Sequence, residues 1–296
     1  MGESAETGPG QRLRVRYAKR GRLRFASHRD IARAIERAVR RAGLPVAYSA
    51  GFTPHPKISY AGAAPTGVAS EAEYLELTLT TAVRAGEVRD RLDAALPDGL
   101  DVINVMETDS GQVAGDLEAS VWEIQLPGVQ EEAVAAACSA FLAARSVHVE
   151  RLTSKGVRRM DARAPVTTLE HGRRVNAQRT DGCAILRMVV RHVTPAVRPD
   201  DVLAALRQVS GLVAPSPPVV TRLAQGPLGA VAGGLAEPRH AGFPDAADAA
   251  ADSGAPGGSG AIGKPAPRGR AAETGIASPG VAATQEGGTT LGERGR

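Results

Sequence analysis

Two short segments near the start of the chain combine residue types that bind anions or move protons. Ser27-His28-Arg29-Asp30 opens a predicted helix, where free backbone N–H groups and the helix dipole favour an anion such as an RNA phosphate. Tyr48–Pro56 follows that helix and holds Phe52 and His55 beside two prolines. A rigid loop of this kind suits base stacking or proton transfer. Together the segments predict one joint site, in which His28 and His55 are the candidate catalytic residues.

Each segment also has a purely structural interpretation. Ser27 and Asp30 form a capping box for the helix whether or not an anion binds there. The loop is alternatively a connector that buries Phe52 in the core of the protein.

Basic residues are concentrated around both segments. Between Arg12 and Lys57, thirteen Lys and Arg residues stand against only Asp30 and Glu36, whereas the net charge of the whole chain is +4. A clustered basic surface favours polyanions, so we expect RNA as the partner, with no DNA specificity inferred. A solvated helix face is the alternative. The residues expected to bind the anion or RNA are Ser27, His28, Arg29, Arg33, Arg37, Arg40, Arg41, Phe52, His55, Lys57, Lys155, Arg158 and Arg159.

Other polar groups carry weaker signals. Lys155–Arg163 is a basic turn that either extends the RNA surface or is an exposed hairpin. Gly62–Gly67 lacks the residues of a phosphate loop and is interpreted as a connector. Glu71 and Glu73 are interpreted as exposed carboxylates at a strand edge. The histidines are scattered and both cysteines lie in apolar runs, so no metal site and no cofactor is expected.

The elements that position these residues follow the same order twice. Alternating strands and one-sided apolar helices predict strand, helix, strand, strand, helix, strand over residues 12–110 and again over residues 118–225. Between the helices of the second unit, strands are predicted at Ser146–Leu152 and Arg163–Leu169, on either side of the basic turn, and at Ala184–His192. This order is typical of the ferredoxin-like domain, a four-stranded antiparallel sheet backed by two helices. We therefore predict an α+β protein with two tandem ferredoxin-like (βαββαβ) units.

The two ends of the chain have a different composition. Residues 1–11 are polar and Gly-rich, and residues 226–296 are rich in Gly, Ala and Pro. Both are predicted to be disordered, because they offer too little apolar surface to offset the entropy of ordering. The sequence shows neither a signal peptide nor an apolar run long enough for a membrane helix, so a cytoplasmic protein with no membrane partner is expected.

The first half resembles a known family, the radical-SAM-linked (radical-SAM-associated) domain of unknown function, in its stand-alone form. The resemblance is carried by FASHRD at Phe25–Asp30, GFTPHP at Gly51–Pro56 and PTGVASEAEY at Pro65–Tyr74, and more loosely by KGVRRMD at Lys155–Asp161. It implies a cytoplasmic bacterial protein from a family in which the domain occurs either alone or joined to the C-terminal side of a radical SAM protein, and it implies no known reaction. The chain has no CxxxCxxC motif, so any radical chemistry must come from another polypeptide.

Three hypotheses about function follow. The first is a non-catalytic RNA-binding or substrate-presenting module that works with a separate radical SAM or RNA-modifying enzyme. The second is a metal-independent endoribonuclease that uses His28 and His55, since tandem ferredoxin-like folds also build RNA-processing enzymes. The third is a protein-assembly adaptor.

Overall fold

The computed structural model describes residues 10–109, 113–154, 156–173 and 183–232. It is a mixed α+β structure with a mostly antiparallel sheet. The first half contains β1 (Arg12–Lys19), α1 (His28–Arg41), β2 (Ile58–Ala61), β3 (Ala69–Thr78), α2 (Ala85–Ala95) and β4 (Leu100–Glu107). The second half contains β5 (Ala119–Pro127), α3 (Glu131–Ala143), β6 (His148–Thr153), β7 (Gly156–Asp161), β8 (Val166–Arg173), β9 (Cys183–Arg191), α4 (Pro199–Ser210), β10 (Val219–Gly226) and α5 (Leu228–Ala232).

One sheet runs through both halves. Its strand order is β4-β1-β3-β10-β5-β9-β8, with β2 paired to β3. The end of β3 pairs with β2 in antiparallel register, and its start pairs with β10 in parallel register at Ala69 and Ser70. Because β10 belongs to the second half, this short parallel pairing joins the halves. Each half has its own apolar core, one around α1 and α2 and one around α3 and α4.

The second half departs from the predicted strand set. The segment expected as the sheet strand Ser146–Leu152 forms β6, which pairs only with β7 in a separate two-stranded hairpin. The sheet position beside β9 is taken by β8 instead. Only two residues separate β6 from β7 in the sequence, and such a short connection favours pairing between the strands that it joins. β8 pairs with β9 in the sheet.

The ordered chain continues past the predicted start of the tail. Gly226 is the last residue of β10, and α5 follows it. Val231 of α5 is buried against Val121 and Val189, which form an apolar patch on the second half-sheet that requires cover. The prediction that the tail begins at residue 226 is therefore wrong for residues 226–232. Residues 233–296, and residues 1–9 of the predicted lead, lie outside the described part.

Helix α1 forms as its sequence predicts. Ser27 is the N-cap, and its hydroxyl oxygen accepts a hydrogen bond from the Asp30 backbone N–H at 3.2 Å. Ile31, Ile35, Ala38 and Val39 are buried in the first core, as their helical spacing requires. Gly43 follows the helix with a φ of 60°, a left-handed conformation that suits glycine after a helix end. No helix in the described part is long and apolar enough to cross a bilayer.

The cap of α1 gives a first testable prediction. Ser27→Ala removes the side-chain acceptor and should lower the free energy of unfolding by about 1 kcal/mol. Denaturant unfolding followed by circular dichroism measures the change. Ser59→Ala is the matched control, because Ser59 is exposed on β2, and we expect it to change stability by less than about 0.5 kcal/mol. Equal effects of the two substitutions would show that the cap contributes nothing specific.

Candidate nucleic-acid interface

The exposed face of α1 carries a row of arginines. Arg29, Arg33 and Arg37 are spaced four residues apart and are all exposed, so their Cβ atoms lie about 6 Å from one another along one side of the helix. We call these three residues the arginine row. Within the described residues none of them is part of an ion pair. The row is therefore available to an external anion.

The two other arginines of the predicted surface have partners within the protein. Arg40 lies 3.7 Å from the Glu36 carboxylate, one turn earlier. Arg41 donates a hydrogen bond to the carbonyl of Ala95, at the end of α2. In return, Arg91 of α2 donates to the carbonyl of Ala42 at the end of α1. Arg41 therefore stabilises the packing of the two helices and is less available to a ligand.

The N-terminus of α1 already holds a negative charge. The Ser27 hydroxyl donates to the Asp30 carboxylate at 2.7 Å, and this hydrogen bond lowers the pKa of Asp30 below its ordinary value. The carboxylate therefore satisfies the preference of the helix dipole for an anion. His28 packs edge-on against Tyr60 of β2, with ring centroids 5.3 Å apart. Burial raises the pKa of Tyr60, and so does the charge of Glu36 to a smaller extent.

The loop Tyr48–Pro56 projects from the end of the sheet. Its base is closed by hydrogen bonds from the Ser49 N–H to the His55 carbonyl at 2.8 Å and from the His55 N–H to the Ser49 hydroxyl at 3.0 Å. Phe52 is fully exposed. The alternative in which Phe52 packs into the core is therefore wrong, and its aromatic face is open to a ligand.

Among the described residues, no hydrogen bond or ring contact joins the loop Tyr48–Pro56 to the start of α1. His55 lines a cleft with Lys57 and Thr78, at the end of β3. His28 contacts Tyr60, which pairs with Leu75 further back along β3. In the described part of the chain no contact joins the two imidazoles, so the geometry gives no support to a two-histidine active site.

The basic hairpin lies in the other half of the sequence. Arg158 and Arg159 are exposed on β7, and Lys155 lies outside the described residues. Arg158 stands opposite Arg151 in the hairpin, and Arg151 forms an ion pair with Asp201 at 2.7 Å. Arg158 and Arg159 therefore form a separate basic surface rather than a demonstrated extension of the arginine row.

Two arginines, one in β1 and one directly after it, are neutralised by acids from elsewhere in the sequence. Arg14 is buried, with ion pairs to Glu76 at 3.1 Å and Asp116 at 3.0 Å. Arg20, just after the strand, pairs with Glu71 and Asp101. The local charge excess in the sequence is therefore not one continuous surface, because part of it is cancelled inside the fold.

A buried polar cluster at the junction of the halves was missed from the sequence. Glu73 of β3 and Arg222 of β10 are each 3% exposed and form an ion pair. Arg222 also donates to the Ser70 hydroxyl at 3.2 Å and to the Gln225 side-chain oxygen at 3.2 Å. The interpretation of Glu73 as an exposed edge carboxylate is wrong. Glu71 is partly exposed and holds Arg20.

The connector Gly62–Gly67 is hydrogen-bonded to this cluster. The Ala64 N–H donates to the Glu73 carboxylate at 3.2 Å, and the Lys19 ammonium donates to the carbonyls of Ala64 and Pro65, each at 3.2 Å. Burial lowers the pKa of Lys19, while the charge of Glu73 opposes that shift. The contacts join β1, β3, β10 and the connector, which makes the cluster a structural link between the halves.

The sequence carried one signal for this cluster. Glu73 alternates in phase with Leu75 and Leu77, both of which are buried. A carboxylate on the buried face of a strand requires a partner. The partner, Arg222, is 149 residues away, and nothing local in the sequence identifies it.

Comparison with known proteins places the chain in a family. Among solved structures, an unknown protein from Galdieria sulphuraria is 14% identical, with 72% of this chain and 96% of that chain covered, at a TM-score of 0.20. DyPB from Rhodococcus jostii RHA1 is 10% identical, with 70% and 86% covered, at a TM-score of 0.19. TM-scores this low support no inference, and no curated protein matches. A family described as uncharacterized proteins conserved in bacteria matches residues 12–199, and the chain therefore belongs to this family, DUF2344.

Proposed function

We propose that the protein is a non-catalytic RNA-binding module, which presents RNA to a separate modifying enzyme. The observation that carries the proposal is the arginine row, three exposed guanidinium groups along one helix face with no ion-pair partner in the described chain. Guanidinium groups bind phosphates through paired hydrogen bonds. A regular row of them matches a polyanion better than a single small anion.

The exposed aromatic ring of Phe52 supports a single-stranded RNA segment. Unpaired bases stack on exposed aromatic side chains, whereas a duplex keeps its bases inside. Phe52 is fully exposed at the tip of a loop whose base is held by hydrogen bonds. The row would bind phosphates and the loop would stack on a base. No DNA specificity is part of the proposal.

The partner enzyme and the location in the cell belong to the same proposal. The resemblance to the radical-SAM-linked domain supports a radical SAM protein that acts in trans. Since the RNA and such an enzyme share the cytoplasm, the protein would work there. An acidic protein face is the competing ligand for the same arginines.

We also infer that the halves are tandem ferredoxin-like units joined edge to edge. Strands β4-β1-β3-β2 are mutually antiparallel in that order, and β10-β5-β9-β8 repeat the pattern. In the first group, α1 follows β1 and α2 precedes β4 in the sequence. In the second group, α3 follows β5 and α4 precedes β10 in the same way. This is the strand order of the split βαβ motif, taken twice, with the β6–β7 hairpin inserted in the second unit.

A protein-assembly adaptor is the second candidate. Leu152 and Val157 stand opposite each other in the β6–β7 hairpin and are 81% and 65% exposed. Adjacent exposed apolar side chains can contribute to a surface on which another protein docks. This surface is distant in sequence from the arginine row, so the two functions are separable by substitution.

A binding measurement tests the proposed function. The full chain is titrated into a fluorescein-labelled single-stranded RNA and, in parallel, into labelled poly-glutamate of similar charge, with anisotropy as the signal. We expect RNA to bind and poly-glutamate to bind at least about tenfold more weakly, because only RNA offers phosphates and stackable bases. Equal binding of both polymers would favour an acidic protein partner, and the absence of RNA binding would contradict the proposal.

The loop gives a second prediction. Phe52→Ala should weaken binding of single-stranded RNA by about fivefold to one hundredfold, since stacking of one base contributes about 1–3 kcal/mol. Stability should not change, because the ring is fully exposed. Leu152→Ala is the matched control, an exposed apolar side chain in the other half. If both variants bind like the unsubstituted protein, the loop takes no part in RNA binding.

A further inference from the structure

A cleft lies on the face of the first half-sheet opposite to α1 and α2. It has a volume of about 300 Å³ and is lined by Arg12, Ser49, His55, Lys57, Ser59 and Thr78, with Glu76 at its floor. A wider cleft of about 580 Å³ adjoins it and shares Arg12, Lys57 and Thr78. Sites of this size hold small ligands. The combination of two cations, an imidazole and three hydroxyl groups points to an anion with several oxygen atoms.

We propose that this cleft binds a phosphate monoester, the group carried by the end of a phosphorylated RNA strand or by a free mononucleotide. The RNA form of the proposal rests on the proposed function, whereas the mononucleotide form does not. A terminal phosphate differs from a backbone phosphate in that it carries more negative charge and three free oxygen atoms. It therefore suits a concave site with several donors better than an open helix face does.

The cations in the cleft are unpaired, in contrast to their neighbours. Arg14 and Arg20 pair with acids, and Arg16 donates to the backbone carbonyl of Glu71 at 2.9 Å. Arg12 and Lys57 are exposed and have no side-chain partner among the described residues. A guanidinium beside an ammonium supplies the charge and the donors that a phosphate requires.

The acidic groups near the cleft do not cancel these charges. Glu76 is held by Arg14, with its side chain 8% exposed. Glu107 lines only the wider cleft and accepts a hydrogen bond from the Gln11 amide at 2.7 Å. Asp109 also lines only the wider cleft. The narrow cleft therefore presents the two cations Arg12 and Lys57 against one carboxylate, that of Glu76, which already pairs with Arg14.

Hydrogen bonds hold the backbone around the cleft. The Lys57 N–H donates to the Ala47 carbonyl at 2.7 Å, and the Thr78 N–H donates to the Lys57 carbonyl at 3.2 Å. Arg12 is paired with Thr78 across the sheet. A site held by strand pairing loses little entropy when a ligand binds. Ser49 accepts the His55 N–H at 3.0 Å and keeps its own O–H as a donor.

The test compares ligands that differ only in a phosphate. Calorimetry on the full chain measures adenosine 5′-monophosphate against adenosine, and a 5′-phosphorylated RNA oligonucleotide against its unphosphorylated twin. Each phosphate should tighten binding by at least about tenfold in one or both pairs, which is the effect of a charge-assisted hydrogen bond. The double variant Arg12→Gln/Lys57→Gln should abolish that advantage, while Arg84→Gln/Arg207→Gln, exposed positions on other elements, should keep it.

The outcomes separate this proposal from the proposed function. If the phosphate raises affinity only in the oligonucleotide pair, the ligand is the end of an RNA strand. If it raises affinity only in the pair of adenosine 5′-monophosphate and adenosine, the ligand is a free nucleotide. If the RNA binds equally with and without its 5′-phosphate and the mononucleotide does not bind, the assignment of the cleft as a phosphate site is wrong. The proposed RNA-binding function is then unaffected. A mononucleotide that binds when no RNA does supports the cleft and contradicts the RNA function. A phosphate advantage that survives in the Arg12/Lys57 variant also overturns the assignment.

Discussion

Arg222→Met is expected to lower the free energy of unfolding by about 3–5 kcal/mol, the loss typical when one partner of a buried ion pair is removed. Glu73 would lose its ion-pair partner at a site that is 3% exposed. The hydrogen bonds from Arg222 to Ser70 and Gln225 would be lost as well. Because Arg222 lies where β10 meets β3, the substitution should also loosen the pairing between the halves. Denaturant unfolding measures the first effect, and hydrogen exchange at Ala69 to Tyr74 measures the second.

Two further variants make the prediction specific. Arg187→Met removes an ion pair to Glu123 at 2.8 Å in the same sheet, but Arg187 is 39% exposed, so the cost should be about 0–1 kcal/mol. Adding Glu73→Gln to Arg222→Met should restore part of the stability, since the uncompensated charge is then gone and the acceptor for Ala64 remains. If the loss in free energy of unfolding of the double variant equals the sum of the losses of the two single variants, the uncompensated charge of Glu73 does not cause the instability of Arg222→Met.

The second large effect concerns RNA binding. Replacing Arg29, Arg33 and Arg37 together by Ala should weaken the binding of single-stranded RNA by about one hundredfold at about 0.1 M salt. The estimate follows from counterion release, in which each phosphate contact on a single strand contributes about 0.7 to the slope of log K against log salt. Fluorescence anisotropy measures the loss. The helix should stay folded, because all three side chains are exposed and Ala favours a helix.

A control removes the same charge elsewhere. Arg84, Arg89 and Arg207 are exposed arginines outside α1, and their replacement by Ala lowers the net charge by the same three units. We expect the affinity of this control for RNA to stay within about threefold of that of the unsubstituted protein, because salt screens most of the long-range electrostatic attraction. An equal loss in both triple variants would mean that net charge, rather than the arginine row, determines binding.

Local features of the fold were predictable from the sequence. Helix α1 is confirmed from the Ser27 cap to Gly43, because the cap, the apolar spacing and the terminating glycine all act within a few residues. The predicted order of strand, helix, strand, strand, helix, strand over residues 12–110 matches β1, α1, β2, β3, α2 and β4. The mixed α+β class with a mostly antiparallel sheet follows from the same local patterns.

Features that depend on distant residues were not predictable. The parallel pairing of β3 with β10 and the Glu73–Arg222 ion pair join residues about half the chain apart. The helix α5 (Leu228–Ala232) lies in a Gly-rich composition and packs on an apolar patch of β5, β9 and β10, which come from three separate parts of the second half. The cleft at Arg12 and Lys57 is likewise formed by strand pairing, so the sequence showed its charges but not its shape.

The salt dependence of RNA binding tests the central claim most directly. The affinity of the unsubstituted protein for a single-stranded RNA is measured between about 50 and 300 mM salt, together with the Arg29/Arg33/Arg37 variant and the Arg84/Arg89/Arg207 control. We predict that the slope of log K against log salt becomes shallower by about 2 in the α1 variant and stays unchanged in the control. Equal slopes for all three proteins would contradict the assignment of the arginine row as the surface that binds RNA phosphates.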